Sequence, residues 1–354
     1  MKAPMMQAAA MAAAKIIAAS MRCFVLRYSE RSTVQEARLS FTMLLANSKQ
    51  SPTAVGEVDP MIVDVHTHLP SHRGTVPEDE MLTETTMRSG QTVQLTNSIA
   101  NYYGDMSPVD KTFIFGIAPR PWRSEEFVTK QAGWEEGLNH NDIASLTAKA
   151  NPDKTIPFMS LHPLDPNWED EYDRCVGDLG CKGIKLGPNY QDFDPLSPEA
   201  FRMFARLEHD GIPIIFHQGT SPMTEAPLTY AHPLTTEKVA MAFPKLKMVL
   251  AHLAHPWQVD CISAVRKHPN MWCDVSAQFY RPYSFWEAML KFHEWGSTQY
   301  ILFASDWPVT RPQDNIDALR GLNKFAKDHH LPGIPEDEIE GIINRDALDI
   351  LGVD

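Results

Sequence analysis

Eight short apolar runs, each followed by a stretch that reads as helix or candidate helix, alternate from residue 61 onward, and this alternation limits the fold more than any other feature. The runs are MIVDVH (61–66), TFIFGIA (112–118), TIPFMSLH (155–162), CKGIKL (181–186), PIIFH (213–217), KMVLAH (247–252), MWCDVSA (271–277) and YILFASD (300–306). Helical patterns follow at 142–150, 168–179, 235–243, 259–268, 285–295 and 313–329, and another opens at Ser197 as cap with Pro198 in its first turn. Short apolar runs separated by helices are buried parallel strands, and eight such units predict an α/β chain closed into a (β/α)8 TIM barrel. An open doubly wound sheet would carry a Gly-rich phosphate loop after a strand, and none follows one here. A last helix over 335–352 closes the barrel, with Asn344 as a capping or packing residue.

Active groups of such a barrel project from the C-terminal ends of its strands. Four of the runs end on residues able to bind or serve a metal: His66 with His68, His217, His252 and Asp306. His66 and His68 stand two apart, so on a strand they point the same way. In a chain with 14 histidines one such pair says little, and its recurrence at later strand ends gives it weight.

On these residues, and on ASDWP at 304–308, the chain resembles the metal-dependent amidohydrolase superfamily. More narrowly it resembles the amidohydrolase-related branch that contains aminocarboxymuconate semialdehyde decarboxylase with several hydrolases and hydratases. The likeness runs from residue 61 to about 351. It implies one divalent metal held by His66, His68, His217 and Asp306. Three imidazoles with one carboxylate suit Zn²⁺, with Mn²⁺ as the alternative, rather than Ca²⁺. Asp306 then doubles as ligand and as base for a metal-activated water, and His252 is a general acid or electrophile beside the substrate, with direct ligation of the metal as the lesser reading. Lys185 is open between a carboxylated bridge for a second metal, an anchor for a substrate carboxylate or support behind the ligands, and a place outside the pocket. His255 fits a helix start as well as the mouth.

The implied reaction is hydrolysis at a carbonyl of a small organic substrate, aromatic or carboxylated, with nonoxidative decarboxylation as the alternative. A decarboxylase of this kind takes an arginine from an early loop, and Arg73, Arg88, Arg120 and Arg123 are the candidates. His162, Tyr190, Gln191, Gln218 and Trp307 are expected around an aromatic-walled pocket. Residues 69–110, rich in Gly and Pro, read as a lid insertion to which Arg88, Tyr102 and Tyr103 contribute.

A net charge of -13 without a basic stripe excludes a nonspecific nucleic-acid binder. Five cysteines show no C-x-x-C spacing, which suits a reducing cytoplasm. Residues 1–60 differ in composition, with seven Lys or Arg against four Asp or Glu. They read as a poorly ordered extension ahead of a true start at Met61, or as an organelle-targeting segment, and are too broken by charge to span a membrane. The expected partner is a small molecule, with no membrane or nucleic acid, and a homodimer is left open.

Overall fold

The computed structural model describes residues 61–70, 84–86, 92–94, 98–122, 137–221 and 225–353. The 1–60 extension, much of the 69–110 insertion, and Arg73, Arg88 and Arg123 lie outside the described residues. Eight strands form the barrel: β1 (Val63–His68), β2 (Lys111–Phe115), β3 (Thr155–Met159), β4 (Gly183–Leu186), β5 (Ile214–Phe216), β6 (Met248–Leu250), β7 (Met271–Asp274) and β8 (Ile301–Leu302). Their spatial order is their chain order, and every hydrogen-bonded neighbour is parallel. The ring closes where Val65 N–H donates to Phe303 O at 3.1 Å, Asp306 N–H to His66 O at 2.8 Å and His68 N–H to Trp307 O at 2.8 Å. The (β/α)8 barrel expected from the alternation is the observed fold.

Side-chain alternation divides the core in two. Val63, Val65, Phe113, Phe115, Phe158, Ile215, Val249, Leu302 and Ala304 fill the barrel lumen. The opposite faces, including Ile114, Met159, Ile184, Ile214 and Met248, pack against the surrounding helices. Those helices start where the sequence supplies caps. In Pro198–Asp210 the Ser197 hydroxyl accepts from Ala200 N–H, and in His140–Ala150 Asn139 and Asp142 form a reciprocal capping box.

β1 carries a bulge. Asp64 pairs with Thr112 and Thr67 with Ile114, so three residues of β1 span two of β2. Before it, Val63 and Val65 face the lumen; after it, Thr67 faces outward to the Thr112 hydroxyl at 3.3 Å, which aims His66 and His68 inward. The final segment is two helices, Glu336–Ile343 and Ala347–Leu351, instead of the single one expected. Asn344 ends the first, its amide donating to Glu340 O at 2.9 Å, and Asp346 caps the second. Ala347, Leu351 and Val353 then seal the N-terminal end of the lumen.

Within the insertion, a two-stranded antiparallel ribbon (Glu84–Thr86 with Thr92–Gln94) and the helix Ile99–Asp105 are formed. Tyr102 is buried against the outer wall, its hydroxyl 3.3 Å from those of Thr67 and Thr112, and Tyr103 donates to Thr147 O at 2.9 Å. Both hold this helix to the outer wall of the barrel.

Gly183 tests the lumen packing. A Cβ there would lie 2.0 Å from Phe158 Cε1, and Phe158 is itself stacked on Phe113 at 4.5 Å between centroids. Gly183→Ala is expected to destabilise the fold by about 1–3 kcal/mol, measured by urea unfolding, with part recovered in a Gly183→Ala/Phe158→Leu double variant.

Candidate metal centre

Asp306 reaches the β1 histidines because barrel closure lays residues 303–307 beside β1. It sits at φ 66, a left-handed conformation that Asp tolerates better than most residues. One carboxylate oxygen, Oδ1, lies 3.3 Å from His66 Nε2 and 3.1 Å from His68 Nε2. The ligand-type atoms of these three residues fall within 4.8 Å of one another. A gathering of two imidazoles and a carboxylate, His66 and Asp306 both buried, fits a divalent cation of the Zn²⁺ or Mn²⁺ kind.

The other strand ends converge on the same place. The His252 ring centroid is 4.9 Å from that of His66 and 5.0 Å from that of His217. His217 stands beside the three-residue group, outside it, with Nε2 3.3 Å from Thr220 O and its ring 4.4 Å from that of Tyr190. Lys185 is 1% exposed, and its Nζ lies 2.9 Å from His66 Nε2 and 4.8 Å above the Phe115 ring. His66 Nε2 has one lone pair, so the Lys185 ammonium and a cation compete for it.

His252 owes its aim to strained backbone. His252, Leu253 and Ala254 have φ of 61, 49 and 52, three consecutive left-handed residues without a glycine. Such conformations cost about 1–3 kcal/mol each and persist where packing enforces them. Here Leu253 and Ala254 are fully buried, and His252 N–H donates to Asp274 Oδ1 at 3.0 Å.

Asp274 and Ser276 are the residues that sequence reasoning missed. Asp274 Oδ2 is 2.9 Å from His66 Nδ1, and Ser276 Oγ is 2.8 Å from His252 Nδ1. Asp274, His66 and His252 also gather as a second group of potential ligand atoms. A signal was present, since MWCDVSA places a carboxylate at the end of an apolar run as YILFASD does.

Several expected pocket residues are tied up elsewhere. His162 has Nε2 2.8 Å from Gln191 O and accepts from Leu164 N–H at 3.1 Å. The Gln191 amide bonds Leu161 O and Gly187 N–H, and Trp307 is buried with its indole N–H on Asp105 at 2.9 Å. Gln218 bonds Thr236. His255 has Nδ1 2.8 Å from Gln258 Nε2, a helix-start contact. Arg120 is buried and donates to Tyr190 O at 3.0 Å, holding the short helix Pro188–Gln191 that carries Tyr190.

Burial, with the Lys185 ammonium beside it, lowers His66 to about 3. Burial also lowers His252, and lowers His217 well below the usual imidazole value. It lowers Lys185 to about 8 against the pull of Asp274 and Asp306. Burial pushes Asp306 and Asp274 up, but neighbouring imidazoles and hydrogen bonds from His68, His66 and Ser276 hold both below the usual carboxylate range.

Residues 63–353 match the family model described as amidohydrolase. No curated protein matches the chain in sequence. Among solved structures, the chain is similar to 5-carboxyvanillate decarboxylase from Novosphingobium aromaticivorans, complexed with manganese and 4-hydroxy-3-methoxy-5-nitrobenzoic acid. That likeness has 14% identity and a TM-score of 0.57, over 86% of this chain and 99% of the other. The chain is also similar to 2,6-dihydroxybenzoate decarboxylase from Rhizobium (17% identity, TM-score 0.54, 82% and 98% covered). A third likeness is to a probable 2-pyrone-4,6-dicarboxylic acid hydrolase from Acinetobacter baumannii with citric acid bound (16%, 0.52, 82% and 99%). No helix among the described residues is long and apolar enough to cross a membrane.

Chelator-treated protein is expected to lose stability in mild acid. His66, His217 and His252 stay neutral in the fold but protonate once unfolded, so stability present above about pH 6.5 falls as pH falls. Asp64, raised to about 7 by burial, acts oppositely between pH 7 and 4 and offsets one of the three. The balance of these groups makes the metal-free protein less stable as pH falls below about 6.5. Urea midpoints equal at pH 6.5 and 5 would contradict this neutral burial.

Proposed function

The chain belongs to the amidohydrolase family, and from that membership we propose that it is a metal-dependent carboxy-lyase acting on a small carboxylated aromatic substrate. The hydrolase expected first from the sequence becomes the second reading. The observation that carries the proposal is Lys185, a buried ammonium at the focus of His66, His252, His217 and Asp306. Loss of CO₂ from an anionic substrate asks for a cation to pair with that anion and a donor to protonate the carbon left behind. Asp306 is ionised, and His252 presents Nδ1 to Ser276, so Lys185 is the group in the centre that already carries transferable protons.

In this reading His66, His68, His217 and Asp306 would hold one divalent cation, Mn²⁺ or Zn²⁺. When bound, that cation supplies Lewis acidity at a substrate oxygen. His217, whose Nε2 lies 3.3 Å from Thr220 O, would supply the third imidazole. Lys185 then pairs with substrate and delivers a proton to the ring carbon. The electron pair freed by C–C cleavage forms the new C–H bond, and CO₂ leaves. Tyr190, packed on His217, forms part of the aromatic wall. The two similar decarboxylases, one holding manganese, support this reading and the choice of Mn²⁺, and they support a place in the decarboxylase-like branch. Hydrolysis keeps one specific support: ionised Asp306 contacts both β1 histidines and is placed to serve as a base on water.

Two measurements separate these readings. Carboxyl-¹³C-labelled hydroxybenzoates and pyrone dicarboxylates incubated with metal-loaded enzyme should yield ¹³CO₂ without ¹⁸O from labelled water in the aromatic product. Incorporation of ¹⁸O into a new product carboxylate establishes the hydrolase instead. Elemental analysis should find about one equivalent of metal, and two would return Lys185 to a carboxylated bridge. His66→Ala, His68→Ala and Asp306→Asn are expected to lower metal content at least about tenfold. Lys185→Met should retain metal and lose roughly 10²–10⁴ in kcat, whereas near-normal turnover would remove Lys185 from the chemistry.

A further inference from the structure

We infer that Asp274 and Ser276, at the end of β7, are positioning residues that fix which ring nitrogen bears the proton in both His66 and His252. The evidence is the set of hydrogen bonds around one fully buried carboxylate. Asp274 Oδ2 lies 2.9 Å from His66 Nδ1. Its Oδ1 accepts the backbone N–H of His252 at 3.0 Å, the backbone N–H of Ser276 at 3.1 Å and the Ser276 hydroxyl.

The proton count follows from these contacts. An ionised carboxylate only accepts, so His66 donates from Nδ1 and keeps its lone pair on Nε2, facing Asp306 and Lys185. Ser276 has one hydroxyl proton and gives it to Asp274. Its oxygen, 2.8 Å from His252 Nδ1, can therefore only accept there, and His252 must also donate from Nδ1. The neutral His252 ring thus keeps its lone pair on Nε2. A single carboxylate sets one imidazole directly and the other through a hydroxyl. His252 in this state is an acceptor, and it becomes an acid only after taking a proton.

The catalytic meaning of this arrangement rests on the proposed metal-dependent function, but the proton positions do not. Two-bond ¹H–¹⁵N spectra of the full-length protein, metal-free and metal-loaded, read ring protonation without any substrate. Wild type should show Nδ1–H for His66 and His252, assigned with His→Gln variants. Ser276→Ala should convert His252 to a mixture of tautomers, leave His66 unchanged and lower kcat about 10–100-fold with KM within twofold. Asp274→Asn should weaken metal affinity about 10–100-fold in chelator competition, since ligand imidazoles depend on such partners. An unchanged His252 spectrum in Ser276→Ala overturns the relay, and Asp274→Asn with wild-type affinity overturns the support of His66. Where Asp274→Asn does not fold, the Ser276→Ala spectrum decides alone. Wild-type protein that shows these tautomers yet loads no metal refutes the proposed function and leaves this inference standing.

Discussion

The seam between β8 and β1 is the contact on which the centre depends. Three backbone hydrogen bonds, from Val65, Asp306 and His68, join residues more than 200 positions apart and turn a curved sheet into a ring. The same bonds place the Asp306 carboxylate against His66 and His68. Fold closure and assembly of the cluster are therefore one event.

Gathering such groups in a buried place is costly. Ionised carboxylates and an ammonium each resist desolvation, and the penalty is recovered only through close pairing and full hydrogen bonding. Asp274 meets that condition with bonds from His66, His252 and Ser276. Asp306 meets the Nε2 atoms of His66 and His68, and Lys185 meets His66 Nε2. Asp274 is thus the carboxylate of this polar core whose charge is met entirely by groups of the chain.

Strain is concentrated in the same region. The left-handed run from His252 to Ala254, the bulge in β1 and the left-handed Asp306 all lie at the C-terminal end of the barrel. Each redirects a side chain that regular strand geometry would have pointed elsewhere. The lumen below them is apolar and tightly filled, with Gly183 leaving room for Phe158. A rigid lower layer thus supports an irregular upper one.

The sequence by itself determined the alternation of strand and helix, and with it the barrel. Apolar periodicity and helix caps such as Ser197 are local signals that survive without tertiary context. It also brought His66, His68, His252, Asp306 and Lys185 to notice, because strand ends are legible wherever an apolar run stops. It did not reveal that Tyr102, Tyr103 and Trp307 serve packing, because the face a side chain presents depends on what its segment meets in the folded barrel. Nor did it reveal the bulge that aims the β1 histidines. The partnership of Asp274 with His66 spans 208 residues, and that with His252 runs through Ser276. Only the closed tertiary structure decides which distant polar groups share a proton, since hydrogen bonds depend on distances of a few tenths of an ångström that no spacing along the chain encodes.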